Sequence, residues 1–423
     1  MSGWRKASLG TICDEGGGTI RTGPFGSQLH DSDYSDVGTP VVMPKDIIDG
    51  RVSEATIARV PDEHVRRLSQ HQLAVGDIVY GRRGDIGRRA LITAVEAGWL
   101  CGTGCLRISP GSGVVEPRFL FYSLGHPKTI DAIAKKAVGA TMPNLNTTIL
   151  REVELLVPPL PTQRRIASIL GAYDDLIEVN RRRIALLEEM ARRLFEEWFV
   201  HFRFPGHEDV PIPNVGHTRL PDGWRAGVAA ELVDFDPSTS LPRTGVKPFI
   251  PMASLDTRTS LIERIEEREV GSGARFQNGD TLFARITPCL ENGKTGLVRD
   301  LPGDGVGFGS TEFIVMRGRV AGPAFTYLLA RHDPFRAHAQ RSMSGATGRQ
   351  RVRTESVRMF KIAVPPHDLL ARFETVTWPM LEMVGRLGAA NRKLAASRDL
   401  LLPRLISGEL PISVAERELE AAA

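Results

Sequence analysis

Two stretches of the chain are rich in arginine, one together with glycine and the other together with hydroxyl and amide side chains, and these residue types suit nucleic-acid binding. Arginine can contact phosphate oxygens and guanine edges, and glycine lets a backbone approach a partner closely. Residues 81–89 read as a glycine-rich turn between two strands and carry four arginines. In residues 341–361, five arginines and Lys361 are opposed only by Glu355. A solvated hairpin tip is the alternative interpretation of the first stretch.

From these clusters and their neighbours we predict DNA contacts in each half of the chain. Lys135 and Lys136 form a further basic pair, which precedes a loop rich in amide and hydroxyl groups. Residues 285–294 occupy the place of the first arginine turn in the second half, with a different set of side chains. The predicted contacts are Lys45, Arg82, Arg83, Arg88, Arg89, Lys135, Lys136, Thr141, Asn144, Arg285, Lys294, Arg341, Ser344, Thr347, Arg349, Gln350 and Arg351.

The sequence lacks the signatures of common catalytic sites. Residues 293–295 (Gly-Lys-Thr) resemble the end of a phosphate-binding loop, but Pro288 stands where that motif has its first glycine. No [DNS]PP[YFW] motif of an amino-methyltransferase occurs, and the four cysteines have neither disulfide-framework nor zinc-site spacing. We therefore predict a protein without catalytic residues, metal or cofactor.

Composition places the chain among ordinary globular proteins. Hydrophobic residues make up 42% and charged residues 25%, and the net charge is +4. The length of 423 residues predicts two or more hydrophobic cores. No apolar run approaches the roughly 18 residues of a membrane span, and no apolar signal core follows Met1. We therefore expect a cytoplasmic protein that does not contact a membrane.

The chain repeats itself with an offset of about 206 residues. Residues 117–119 (Pro-Arg-Phe) correspond to 323–325 (Pro-Ala-Phe), and the Gly-Asp pair at 76–77 corresponds to 279–280. Each half begins with about 150 residues of mixed pattern that contain short strand-like runs, and it ends in a helical segment. The predicted order is therefore globule, helix, globule, helix.

The two helical segments have coiled-coil spacing. In residues 162–199 apolar side chains recur every three or four residues over more than four heptads. The second helix is expected to be poorer, because Pro379, Gly385 and Gly388 interrupt it. Its simplest partner is the first helix of the same chain. The predicted seam consists of Ile166, Leu170, Ile177, Asn180, Ile184, Leu187, Met380, Val384, Leu387, Asn391 and Leu394.

Polar residues on these helices allow two interpretations. Asn180 and Asn391, one in each seam, either fix the helix register from a buried position or face solvent at a slightly shifted register. On the first helix, seven arginines are matched by seven acidic residues, among them Asp174 and Glu188. Such a balanced pattern indicates a solvated or protein-binding face rather than a DNA surface.

The order of these motifs resembles the specificity subunits of type I restriction–modification systems. Residues 158–170 are similar to the start of that family's central conserved helix, and residues 220–224 to the start of its second recognition domain. Residues 400–410 resemble its C-terminal end, and residues 23–27 an early turn of its recognition domains. The second repeat lacks a counterpart of Gln163, which puts symmetric docking of two partner copies in question.

This resemblance implies a fold, a function and partners. The implied fold class is α/β (α+β), with two tandem target-recognition domains, each followed by a long helix, and the helices pairing as an antiparallel coiled coil. Each domain would read one half of a bipartite site in double-stranded DNA. The helices would dock two methyltransferase subunits, and restriction nuclease–translocase subunits would join them. The implied segments are 1–158 and 223–365 (recognition domains), 159–202 and 366–412 (helices), 203–222 (linker) and 413–423 (tail).

Two other functions stay open at the level of sequence. A self-contained DNA methyltransferase or nuclease with unrecognised motifs would be active without a partner. A coiled-coil adaptor that binds only protein would show no salt-sensitive binding to DNA.

Overall fold

A computed structural model describes residues 3–137, 144–211, 220–346 and 348–422. The chain divides into two compact units. The first contains Met1–Leu176 and Leu394–Ala423, and the second contains Ile177–Lys393. Two long helices, α6 (Leu160–Phe195) and α10 (His367–Ile406), each contribute one part to each unit.

The globule of the first unit combines small sheets with short helices. Its main sheet is antiparallel with the order β2-β10-β7-β8, a second sheet has the order β6-β3-β9, and β1 pairs with β11. The strands are β1 (Arg5–Ser8), β2 (Thr19–Thr22), β3 (Thr39–Val42), β4 (Ile47–Ile48), β5 (Arg51–Val52), β6 (Ala58–Val60), β7 (Ile78–Gly81), β8 (Arg89–Leu91), β9 (Leu100–Cys101), β10 (Cys105–Ser109) and β11 (Glu154–Val157). The helices are α1 (Leu9–Glu15), α2 (Asp62–Arg67), α3 (Pro117–Leu124), α4 (Pro127–Lys136) and α5 (Thr147–Arg151).

The second unit repeats this plan. Its main sheet has the order β13-β20-β17-β18, its second sheet β15-β14-β19-β16, and β12 pairs with β21. The strands are β12 (Arg225–Val228), β13 (Val233–Phe235), β14 (Val246–Ile250), β15 (Glu266–Glu269), β16 (Ala274–Gln277), β17 (Thr281–Ala284), β18 (Thr295–Leu297), β19 (Val306–Gly309), β20 (Phe313–Gly318) and β21 (Lys361–Val364). The helices are α7 (Pro323–Arg331), α8 (Asp333–Arg341) and α9 (Thr354–Arg358).

The repeated Gly-Asp pair is a turn with a buried carboxylate in both units. Gly279 has φ +91°, a left-handed conformation that glycine adopts without strain. The Asp280 carboxylate accepts hydrogen bonds from the Gln277 N–H at 2.8 Å and from Arg317 at 2.7 Å. In the first unit, Asp77 likewise accepts the N–H of the residue three positions earlier, at 2.9 Å. The repeat therefore preserves a turn in which a buried acid accepts a backbone N–H of the same turn.

The two long helices pack together within each unit. In the first unit Arg398 of α10 forms an ion pair with Asp174 of α6. In the second unit the ring centroids of Phe195 and Phe373 are 6.3 Å apart. Since later residues of α10 meet earlier residues of α6, the helices run antiparallel, as predicted.

The two seam asparagines bind each other inside the second unit. Asn180 Nδ2 donates to Asn391 Oδ1 at 2.9 Å, and only 4% of the Asn180 surface is exposed. Asn391 Nδ2 also donates to the Ile177 carbonyl oxygen at 3.4 Å. Of the two interpretations left open by the sequence, the structure therefore shows the buried one.

Helix α10 is not interrupted at its glycines, contrary to expectation. It is continuous across Gly385 and Gly388. A Cβ atom on Gly388 would lie 2.6 Å from Leu261 Cδ2, and one on Gly385 would lie 3.3 Å from Arg299 Nη1. The glycines therefore provide space for side chains of the globule, and this packing outweighs their low helix propensity.

The C-terminal segment forms one more helix, α11 (Ile412–Ala422), in the first unit. Arg165 of α6 donates to both carboxylate oxygens of Glu416, at 2.9 and 2.6 Å, and Ala415 is fully buried. Among the helices that the structure describes, none has the length and hydrophobicity needed to cross a membrane.

Candidate nucleic-acid interface

In the first unit, the structure brings together segments that the sequence predicted separately. The loop after β7 meets residues 144–145: the Leu145 N–H donates to the Arg82 carbonyl oxygen at 2.9 Å. Arg82 Nε donates to Asn144 Oδ1 at 3.1 Å and to the Leu145 carbonyl oxygen at 2.9 Å. Arg88 Nη1 reaches the carbonyl oxygen of Pro44, at the start of a 3₁₀ turn, at 3.4 Å. Residues 44–46, 82–88 and 144–146 are called the first loop cluster below.

The second unit joins the corresponding segments in the same way. The Thr287 N–H donates to the Gln350 carbonyl oxygen at 3.1 Å, and Arg285 Nη2 donates to the Val352 carbonyl oxygen at 2.7 Å. Lys294 Nζ donates to the Met252 carbonyl oxygen at 3.0 Å, again at a 3₁₀ turn. Residues 252–254, 285–294, 341–346 and 348–353 are called the second loop cluster.

Several predicted contact residues are exposed cations. Within the described residues, the side chains of Arg83, Lys135, Arg341 and Arg349 make no hydrogen bond or ion pair, and they remain available to a ligand. Lys45 is also exposed, with only a 3.5 Å contact to the Thr56 carbonyl oxygen. A surface guanidinium or ammonium without an internal partner loses little on binding a phosphate.

Other predicted residues hold the loops together. Arg82, Arg285 and Lys294 donate to backbone carbonyl oxygens, as described above. In addition, Arg88 pairs with Asp85 at 3.0 Å, and Lys136 pairs with Glu152 at 3.2 Å. We assign to these side chains a part in shaping the loops, since each already has an internal acceptor.

Arg351 is exposed but paired. Its guanidinium donates to both carboxylate oxygens of Glu312, at 2.7–2.9 Å. The backbone of Arg351 also bonds that of Ser344 in both directions, at 3.0 and 3.1 Å. Ser344 is exposed, and Gln350 is half-buried. Thr141 and Thr347 lie outside the described residues.

Arg89 is half-buried and its guanidinium is bound inside the unit, so we do not retain it among the proposed DNA contacts. Its Nε donates to the Phe121 carbonyl oxygen at 2.7 Å, Nη1 donates to the Gly87 carbonyl oxygen at 3.1 Å, and the guanidinium lies 4.6 Å from the centre of the Phe121 ring. Burial lowers the pKa of Arg89 to about 10. The side chain packs the start of β8 against α3, because the residue faces inward from its strand.

The sequence prediction missed a cleft beside Arg285. This cleft, of about 440 Å³, is lined by residues that include Asp236, Thr239, Arg275, Arg285, Thr311 and Phe313. Arg275 is exposed on β16, next to the buried Phe276. Strand alternation would have placed Arg275 outward, but it lies in no cluster of charge along the sequence.

The structure also bears on metal binding and on the cysteines. In the described ranges, no group of three or more His, Cys, Asp and Glu side chains is arranged to hold a metal ion. Cys13, Cys101 and Cys105 are buried free thiols, and burial raises the pKa of Cys13 to about 11 and that of Cys101 to about 12.

Comparison with known proteins gives consistent results. The family described as "Type I restriction modification DNA specificity domain" matches residues 1–189. The chain is 23% identical over 389 residues to the type I restriction enzyme MjaIX specificity subunit of Methanocaldococcus jannaschii, covering 88% of this chain and 87% of that protein. It is 21% identical to the HindI specificity subunit of Haemophilus influenzae, covering 97% of this chain and 100% of that one.

A solved structure shares the fold. The S subunit of a type I restriction–modification system from M. genitalium aligns with a TM-score of 0.54 at 14% identity, covering 95% of this chain and 96% of the other. This likeness confirms the predicted fold class of two mixed α/β globules with two long paired helices.

Proposed function

We propose that the chain is a specificity subunit of a type I restriction–modification system and that it reads two DNA half-sites, one with each loop cluster. The observation that carries this proposal is the recurrence of three joined segments in both units with different side chains. A repeated frame with unlike side chains suits the reading of two unlike sequences. The proposed recognition domains are residues 1–158 and 223–365.

The chemistry of each cluster fits binding to double-stranded DNA. Exposed cations such as Arg83 and Arg349 would contact phosphates, which provides affinity but not sequence information. Gln350 and Ser344 offer the amide and hydroxyl groups that read base edges. The chain itself would perform no reaction, and catalysis would belong to its partners.

We also propose that α6 docks a methyltransferase subunit. Val179, Leu186 and Met190 are apolar side chains of α6 with 43%, 61% and 42% of their surface exposed. Their spacing of seven and four residues places them on one face of the helix, apart from the buried seam. An exposed apolar stripe with heptad spacing fits a helix of a protein partner.

Co-expression with the partner methyltransferase in a host without DNA methylation tests the function. Sequencing of the modified adenines is expected to reveal one bipartite motif that appears only when both proteins are made. A methyltransferase complex that forms but adds no methylation would contradict the proposal and favour the protein-binding adaptor. Methylation or cleavage by the purified chain alone would favour the self-contained enzyme.

Replacement of Arg83 tests the first loop cluster. Arg83→Ala is expected to weaken DNA binding by the complex about three- to tenfold and to lower the slope of log K against log salt by about 0.9, because one phosphate contact is lost. Fluorescence anisotropy at several salt concentrations measures both quantities. Arg66→Ala, which removes an exposed arginine from α2, is the control. Equal effects of the two variants would remove Arg83 from the interface.

A further inference from the structure

Glu188 of α6 is buried in the second unit, where its carboxylate is bound by two groups of the globule. The Ser260 N–H donates to Oε1 at 2.6 Å, and the Tyr327 hydroxyl of α7 donates to Oε2 at 3.0 Å. Only 9% of Glu188 and none of Tyr327 is exposed. Because an unpaired buried carboxylate is costly, these two donors fix where the globule can lie on the helix.

The contact extends to the second long helix. Arg299 Nη2 donates to Ser260 Oγ at 2.6 Å, and its Nη1 donates to the Leu381 carbonyl oxygen of α10. Leu261, next to Ser260, approaches α10 at Gly388, where the helix has no side chain. Ser260 and Arg299, which bond each other, therefore link the globule to α6 and to α10.

The first unit contains an analogous contact. The Tyr122 hydroxyl of α3 donates to the carboxylate of Asp174 on α6, and Arg398 of α10 pairs with the same carboxylate. Arg51 Nη2 donates to the Asp174 carbonyl oxygen at 3.2 Å. Asp174 and Glu188 are two heptads apart in the sequence of α6. Each globule is thus joined to the same helix by a tyrosine–carboxylate hydrogen bond.

We propose that the Tyr327–Glu188 and Tyr122–Asp174 hydrogen bonds are positioning contacts that set how strictly the complex discriminates the length of the DNA spacer between its half-sites. This inference rests on the proposed function. One base pair more or less shifts a half-site by about 3.4 Å and rotates it by about 35° around the DNA axis. A globule that pivots on its helix would follow such a shift. Hydrogen bonds with fixed geometry, buried at Glu188 and part-buried at Asp174, oppose it.

Tyr327→Phe is the main test, because it removes one hydroxyl and keeps the buried ring. The complex with the methyltransferase is given DNA in which the two half-sites are separated by the native spacer or by one base pair more or fewer. The ratio of methylation at altered to native spacers is expected to rise about tenfold, since a hydrogen bond to a buried carboxylate is lost. The half-site sequences are expected to stay the same.

Matched variants separate positioning from stability. Tyr80→Phe is the control: Tyr80 is fully buried, and its hydroxyl has no hydrogen-bond partner within the described residues, so spacer discrimination should not change. Glu188→Ala should relax discrimination at least as much as Tyr327→Phe. Glu188→Gln should restore most of it, because an amide can still accept from Ser260 and bond the tyrosine. Tyr122→Phe should act like Tyr327→Phe.

The outcomes distinguish this inference from the proposed function. If the native complex methylates its bipartite motif and Tyr327→Phe keeps the native spacer ratio, the positioning role is wrong. If Tyr80→Phe relaxes the ratio equally, the effect is one of general stability, which also overturns the inference. Failure of the native complex to methylate any bipartite motif would overturn the proposed function, and this inference with it. If Glu188→Ala does not fold, the spacer ratio of Tyr327→Phe still tests the positioning role.

Discussion

Phe373→Ala is expected to lower the free energy of unfolding of the second unit by about 3–5 kcal/mol, the usual cost of removing a buried phenylalanine ring. Phe373, in the first turns of α10, is fully buried. Its ring centroid lies 4.7 Å from that of Phe199, 5.5 Å from that of Trp198 and 6.4 Å from that of Phe325. Large rings from residues 198–199 and from α7 surround the site, and a tightly packed core relaxes only partly into the cavity left by alanine.

Urea denaturation followed by tryptophan fluorescence measures this loss, since Trp198 and Trp224 belong to the same aromatic core. Val376→Ala is the control: Val376 is one turn further along α10 and is 42% exposed. Its effect should stay within about 0.5 kcal/mol. A loss below about 1 kcal/mol for Phe373→Ala would mean that the aromatic core contributes little to the stability of this unit.

The sequence predicted the repeated architecture because the signals for it are local or periodic. The heptad spacing of Ile166, Leu170 and Ile177 identifies a helix with one buried face, and these residues are indeed buried. The Gly-Asp pairs are informative for a similar reason, since a left-handed glycine followed by an aspartate that accepts the N–H three residues before it is a local pattern.

The direction of single side chains could not be predicted in this way. Arg83 and Arg89 belong to the same arginine-rich turn, yet one is exposed and the other packs against Phe121. A count of charges along the sequence does not tell which side of a hairpin faces another element. That difference depends on α3, which lies about thirty residues further along the chain.

Non-local contacts also explain two features of the long helices that their own sequence did not reveal. Glu188 and Asp174 contributed to a balanced charge pattern that indicated a solvated or protein-binding face, but the globules supply tyrosine donors that hold both carboxylates inward. Gly388 was expected to interrupt α10, but Leu261 fills the space above it. In both cases the partner comes from a distant part of the sequence, so helix periodicity alone could not reveal it.

Simultaneous replacement of three arginines of the second loop cluster is expected to have the largest effect on DNA binding. Arg341, Arg349 and Arg353 are exposed, and their side chains make no hydrogen bond or ion pair within the described residues. Their change to alanine should weaken binding of the complex to its specific site by about a hundredfold and reduce the salt slope by about 2.7, since each phosphate contact contributes about 0.9. Folding should be unaffected, because no internal contact of these side chains is lost.

A triple variant of equal charge tests whether location or total charge causes this loss. Its residues are exposed arginines of the second unit outside the cluster, namely Arg243, Arg319 and Arg392. Anisotropy titrations of both complexes at several salt concentrations give the affinities and the slopes. If location matters, only the cluster variant shows a salt slope reduced by about 2.7, the value for three phosphate contacts. Equal losses would show that net charge, rather than this surface, governs the binding, because long-range attraction to DNA depends on charge but not on a particular contact. A variant that keeps its affinity for unrelated DNA but loses the native motif would instead assign these arginines to base edges.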